Sequence, residues 1–195
     1  MPAVKTTPLS SPYLLCIIFF LVLALPACNS SNFTLTANAE SSDFSLTANA
    51  GKFHSVYIRK PTTSTNIDVN ITLTDLNNDT EWRPSAYIGV RHIESLKNSF
   101  QFFMLQNENE DNYAIAGYRI FENGEELEQV SISNVNIGDS VRVRLSIDDG
   151  LVTLILNKKV PVVKQTSLKE VNLYASVSSG SALFEVYEVG SNPIR

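Results

Sequence analysis

Residues 139–157 read Asp139-Ser140-Val141-Arg142-Val143-Arg144-Leu145-Ser146-Ile147-Asp148-Asp149-Gly150-Leu151-Val152-Thr153-Leu154-Ile155-Leu156-Asn157. In the first half, Val141, Val143, Leu145 and Ile147 alternate with Arg142, Arg144, Ser146 and Asp148. Successive side chains of a strand point to opposite faces, so this pattern assigns one buried and one solvated face. Asp149-Gly150 then supplies a dipeptide that tolerates positive φ, as a tight hairpin turn requires. Residues 151–156 are apolar at nearly every position, the composition of a strand covered on both sides. One antiparallel hairpin is therefore written into consecutive residues.

The same grammar extends outward. Ile67, Val69, Ile71 and Leu73 alternate with Asp68, Asn70, Thr72 and Thr74, and residues 100–105 form a second run that is apolar on both faces. Glu122-Asn123-Gly124 marks another hairpin, while residues 76–79 and 107–111 are polar loops. The pattern predicts about ten or eleven short strands and no amphipathic helix. Many antiparallel strands around one core make an all-β fold, an antiparallel β-sandwich of the jelly-roll kind.

On these residues a resemblance can be stated. Residues 139–157 resemble the penultimate hairpin of concanavalin A-like lectin/glucanase domains, laminin-G-like ones included, in which a strand leads through a Gly turn to a strand ending in Asn. Ser181-Ala182-Leu183-Phe184-Glu185-Val186-Tyr187-Glu188-Val189 resembles their final strand. The upstream order of strands at 67–73, 86–91, 100–105 and 113–121 also fits, so the resemblance spans most of residues 43–189. It rests on pattern rather than on invariant motifs. Lys158 departs from it, because many relatives have Gly after the Asn.

The N-terminus carries a different signal. Lys5 is the only charged residue before Cys28, and residues 14–25 form an apolar core long enough for a signal peptide and too short to span a bilayer. Leu25-Pro26-Ala27-Cys28 resembles the lipobox of bacterial lipoproteins. That resemblance implies acylation of Cys28, an exported protein, and a membrane as partner through the lipid. Asn29, in place of Asp, implies the outer membrane in a cell that has one. The expected organisation is a leader at 1–27, a tether at 28–42 and the sandwich at 43–195. The tether holds residues 32–39, a near-duplicate of 43–50. Cys16 leaves with the leader, so the exported domain has no disulfide and must be held by its core.

Charge excludes one class of function. The chain has 15 basic and 20 acidic residues, a net charge of −5, and no basic tract longer than a pair such as Lys158-Lys159. Phosphate neutralisation supplies most nucleic-acid affinity, so nucleic acid is not an expected partner.

The chemistry of sites is sparse. The glucanase relatives place Glu, Asp and Glu at alternate positions on one strand, and no strand here does so. Glu108, Glu110 and Asp111 stand among asparagines in a loop, and His54 and His92 belong to no metal-ligand or nucleophile motif. Asp75, Asn77 and Asp79 have the alternate spacing of oxygen ligands in calcium loops. Thr80 and Ala86 replace the Gly and Glu of an EF-hand, which leaves a polar turn or a sandwich-loop calcium site. No cofactor is expected.

Arg91, Arg119, Arg142 and Arg144 are more informative, because guanidinium forks match carboxylates. With Tyr87 and Gln101 they are expected to line a groove, and Trp82, the single tryptophan, to stand at its rim. The competing reading is a solvated sheet face with Arg–carboxylate pairs across strands. The expectation is a non-catalytic, lipid-anchored module that binds a glycan or an envelope protein. A glycan-processing enzyme of the same fold and a purely structural envelope lipoprotein are the alternatives.

Overall fold

A computed structural model describes residues 33–35, 43–77, 82–95, 97–108 and 110–190. Cys28, the leader, Asp79, Thr80, Glu81 and the rest of the tether lie outside these residues. Among them, eleven strands form: β1 (Phe33–Leu35), β2 (Phe44–Thr62), β3 (Ser64–Leu76), β4 (Ser85–His92), β5 (Ser99–Asn107), β6 (Glu110–Glu122), β7 (Glu125–Asn136), β8 (Ser140–Asp148), β9 (Leu151–Leu156), β10 (Val162–Gln165) and β11 (Val171–Gly190). The fold is all-β, a jelly-roll β-sandwich. All ladders are antiparallel except that of β1, which runs parallel to β2. Phe33–Leu35, expected in the tether, is thus part of the sheet.

Two long strands build both layers. Residues 171–178 of β11 pair with β4, and residues 180–190 pair with β3. β2 accompanies β11 along both stretches. One layer is therefore β1-β2-β11-β4-β5-β6-β7, and the other is β2-β11-β3-β8-β9-β10.

The change of layer occurs at a bulge. Ser179 takes φ 47°, Gly51 on β2 takes φ 63°, and the Gly51 N–H donates to Ser179 Oγ at 3.1 Å. Gly180 lies so close to β3 that a Cβ there would sit 2.3 Å from the Asp75 carbonyl oxygen, so only glycine fits. The bulge also shifts the phase of the side chains. Leu173, Ala175 and Val177 face the core before it, and Ala182, Phe184 and Val186 after it.

The core lies between the layers. Ile67, Val69, Ile71 and Leu73 of β3 meet Ala86, Ile88 and Val90 of β4 in one cluster with Phe100, Phe102, Leu145 and Ile147. Each large apolar side chain buried there contributes about 1.5–3 kcal/mol, the main source of stability in a domain without disulfides. At the ends of the strand order, β7 and β10 are clasped together. Lys164 Nζ donates to Glu128 at 2.7 Å, and the Tyr118 hydroxyl donates to the same carboxylate at 2.8 Å.

Both expected hairpins form, with Asn123-Gly124 and Asp149-Gly150 all at positive φ. Asn157 ends β9 at φ 46° and its side-chain oxygen accepts from the Arg142 N–H at 2.9 Å. Lys158 follows at φ 60°, which explains the glycine preferred there in the resembling domains. The expectation for residues 151–156 needs correction. β9 lies next to the edge strand β10, and Leu151, Thr153 and Ile155 stand on a face with no covering layer. β5 and β9 each lie between two strands, and the second face of β5 forms part of the floor of a cleft, so neither run is covered on both sides.

Candidate functional site

The candidate site lies on the face of the β4 layer that points away from the core. On β4 the even residues enter the core, which leaves Ser85, Tyr87, Gly89 and Arg91 on the other face. Register then sets the neighbours. Tyr57, Tyr174, Gly89, Gln101 and Arg119 form one row across β2, β11, β4, β5 and β6. The next row is Ser55, Ser176, Tyr87, Phe103 and Gly117. A cleft of about 460 Å³ opens over these rows. Trp82 and Lys97 line its upper part, and Trp82 is 52% exposed.

The two glycines shape the floor. Between Tyr174 and Gln101, Gly89 presents no side chain, and a Cβ there would press to 2.5 Å from the Phe100 carbonyl oxygen. At Gly117 a Cβ would strike the Val130 carbonyl and the Phe103 ring, so the absence of one lets that ring lie flat against the sheet.

Aromatic rings hold both arginines. The Arg91 guanidinium carbon is 4.6 Å from the Tyr57 ring centroid and 4.7 Å from that of Tyr174. Arg119 lies 4.8 Å from the Tyr87 ring, 5.3 Å from Phe121 and 5.8 Å from Phe103. Such contacts contribute about 0.5–2 kcal/mol each, more where water is excluded. For Arg119 they fix the guanidinium without neutralising it. Among the described residues, no carboxylate pairs with Arg119, and no Asp or Glu lines the cleft. Burial pushes the Tyr174 phenol up to about 12, although Arg91, Arg119 and Ser99 pull it down. Tyr174 therefore stays a neutral hydroxyl at physiological pH.

Several polar atoms on this face are buried without a hydrogen-bond partner in the protein: Arg119 Nε and the hydroxyls of Ser55, Ser85 and Ser176. Buried polar groups are ordinarily satisfied, and of these four Arg119 and Ser176 line the cleft.

Of the residues expected to line a groove, the structure brings Trp82, Tyr87, Arg91, Gln101 and Arg119 together. Arg142 and Arg144 are a correction. They lie on β8, in the other layer, on the outward face opposite Val141, Val143 and Leu145. Their separation follows from topology, because β8 pairs with β3 and the β3 layer turns away from β4 at the bulge. There Arg142 makes a bidentate pair with Asp68, both bonds at 2.8 Å, and packs 4.9 Å from the Tyr187 ring. The hydrogen bonds to Asp68 raise its pKa further. This is the solvated cross-strand pairing that competed with the groove.

The histidines serve the backbone: His54 Nδ1 contacts the Thr47 carbonyl at 3.1 Å, and His92 Nδ1 accepts from the Glu94 and Ser95 N–H groups. Asp75 ends in the β3 ladder opposite Ser181, and among the described residues no group of three His, Cys, Asp or Glu side chains could hold a metal ion.

Tyr57 lies on β2 within no alternating run that points to it, whereas Tyr174 and Ser176 of β11 do carry a sequence signal. Their signal is the alternation in residues 171–178, where Leu173, Ala175 and Val177 interleave with Tyr174, Ser176 and Ser178. The resemblance to a final strand begins only at Ser181, whereas β11 begins at Val171.

No known family model and no curated protein matches this chain. Solved structures do match its fold. A functionally unknown protein from Saccharomyces cerevisiae is similar with a TM-score of 0.58 and 10% identity, covering 78% of this chain and 89% of that one. The carbohydrate-binding module CBM66 from Bacillus subtilis gives 0.55 and 12%, covering 80% and 98%. An alginate lyase from Alteromonas sp. 272 gives 0.50 and 8%, covering 84% and 92%. At these identities the likeness is one of fold, and the chain has the jelly-roll, concanavalin A-like β-sandwich that these proteins share.

Proposed function

We propose that this chain is an exported, lipid-anchored binding module that takes a glycan in the cleft of the β4 layer. The observation that carries this reading is the cleft itself. An exposed indole stands over a rigid strand floor that offers hydroxyl, phenol and guanidinium donors. Sugars present apolar ring faces and hydroxyl edges, and that combination suits both. Its lining holds neither a carboxylate nor an imidazole among the described residues, which favours binding over acid–base hydrolysis. The likeness to a carbohydrate-binding module and to an alginate lyase supports a glycan ligand.

A glycan array probed with the full chain in detergent micelles tests the reading. We expect binding to a defined set of glycans and a loss of about tenfold in Trp82→Ala, the order of one stacking contact. Binding to no glycan overturns it. For the anchor, Cys28→Ser is expected to move the protein from membranes to the soluble fraction after leader cleavage. Retention at membranes overturns that part.

A further inference from the structure

The cleft distinguishes itself by the state of its cations. Surface arginines in sheets are commonly paired with carboxylates across strands, as Arg142 is with Asp68. Arg119 is instead surrounded by the rings of Tyr87, Phe103 and Phe121, with no carboxylate partner among the described residues. Its Nε is buried and donates to nothing in the protein. Ser176, 1% exposed and lining the same cleft, leaves its hydroxyl without a partner too. Arg91, 8% exposed, stands in the same cleft, and Lys97 adds a third cation at the rim. In a chain of net charge −5, this places three cations in one cleft whose lining, among the described residues, includes no Asp or Glu.

A site of this kind has a definite complement. A guanidinium presents its N–H groups in a planar fork, which matches two coplanar oxygens better than one hydroxyl or a tetrahedral anion. The ring faces above and below Arg119 block approach from its π surfaces and leave its edge. The floor at Gly89 has no side chain, so a sugar ring can lie beside that edge.

Resting on the glycan reading above, we infer that the cleft selects a uronate, a sugar residue bearing a carboxylate, and that this carboxylate docks on the edge of Arg119. Ser176 and Tyr174 line the same cleft beside Arg119. Sugar sulfates share the negative charge but lack the planar pair of oxygens.

Isothermal titration calorimetry on the full chain in detergent micelles tests this. The probes are trimers of galacturonate, glucuronate, mannuronate and guluronate, the same trimers with each carboxyl reduced to an alcohol, and a sulfated trisaccharide. We expect at least one uronate trimer to bind at least about tenfold tighter than its reduced form, the worth of one charge-assisted hydrogen bond. Arg119→Gln abolishes that preference. Arg119→Lys, which keeps the charge and loses the fork, abolishes most of it, and Arg142→Gln leaves it intact. Thermal unfolding of each variant separates loss of recognition from loss of fold. Equal binding of reduced and carboxylated trimers, tighter binding of the sulfated sugar, or full preference in a folded Arg119→Gln protein overturns the inference. If neutral glycans bind and no uronate does, the inference fails while the glycan reading stands. If no glycan of any class binds, the glycan reading itself fails.

Discussion

Arg119 and Arg142 stand on outward faces of the two layers, and each packs on an aromatic ring, yet their surroundings differ in kind. Arg142 answers an acid of its own chain: Asp68 accepts from its Nε and Nη2, and the pair is open to water on the arginine side. Among the described residues Arg119 packs on rings and pairs with no acid, and its Nε is buried and unsatisfied. A paired, exposed guanidinium is a solved problem for the folded chain. A guanidinium held by π faces keeps its charge and its donors for something else. The difference separates a face whose arginine is tied to the sheet from the face proposed to take a ligand.

The comparison can be broken through packing, where the largest effect is expected. Phe103→Ala removes a ring that is 2% exposed and walls Arg119, at a cost of about 3–5 kcal/mol in denaturant unfolding. Tyr187→Ala removes the ring beside Arg142 from a position 52% exposed, and we expect well under 1 kcal/mol. Similar costs at the two positions would erase the distinction.

A second, smaller effect belongs to the cleft alone. Tyr174 titrates from an ordinary 10.0 when unfolded and near 12 when folded. The folded state therefore holds its proton where the unfolded state has lost it. The stability this confers is complete below pH 10 and is lost as the pH rises towards 12. Tyr174→Phe should flatten that alkaline fall in unfolding free energy. An unchanged profile would mean that the phenol is not buried as described.

The smallest effect sharpens the opposite face. Asp68→Asn should lower the melting temperature slightly, and the loss should shrink in 1 M salt because the pair is solvent-screened. It should leave ligand affinity in the cleft unchanged. A weakened ligand would show that the two faces communicate.

The fold was legible wherever one face of a strand is wet. Alternation at 67–74 and 141–148 found β3 and β8, and the Asn-Gly and Asp-Gly dipeptides found their hairpins. The two apolar runs misled in part, because periodicity reports hydrophobicity and not position in the sheet. Leu151 and Ile155 are apolar on a face that nothing covers. For the cleft, Tyr87, Arg91, Gln101 and Arg119 were accessible because strand parity and order place them. Arg142 and Arg144 share their residue type and parity, but the bulge at Ser179 sends their layer elsewhere. That bulge has no long-range signature in sequence, and it also concealed the first half of β11, where Tyr174 and Ser176 lie.

The ribbon of β2 and β11 has a mechanical consequence. Phe44, at the start of β2, stacks 4.9 Å from Phe184 of β11, and Tyr174 in the cleft belongs to that same strand. A pull applied between Phe44 of β2 and Tyr174 of β11 therefore crosses one strand-to-strand seam. That seam is a long antiparallel ladder stressed along its length, so its hydrogen bonds share the force in shear instead of opening one at a time. The bent pair that divides the sandwich into two layers is also the shortest route for tension between Phe44 and Tyr174.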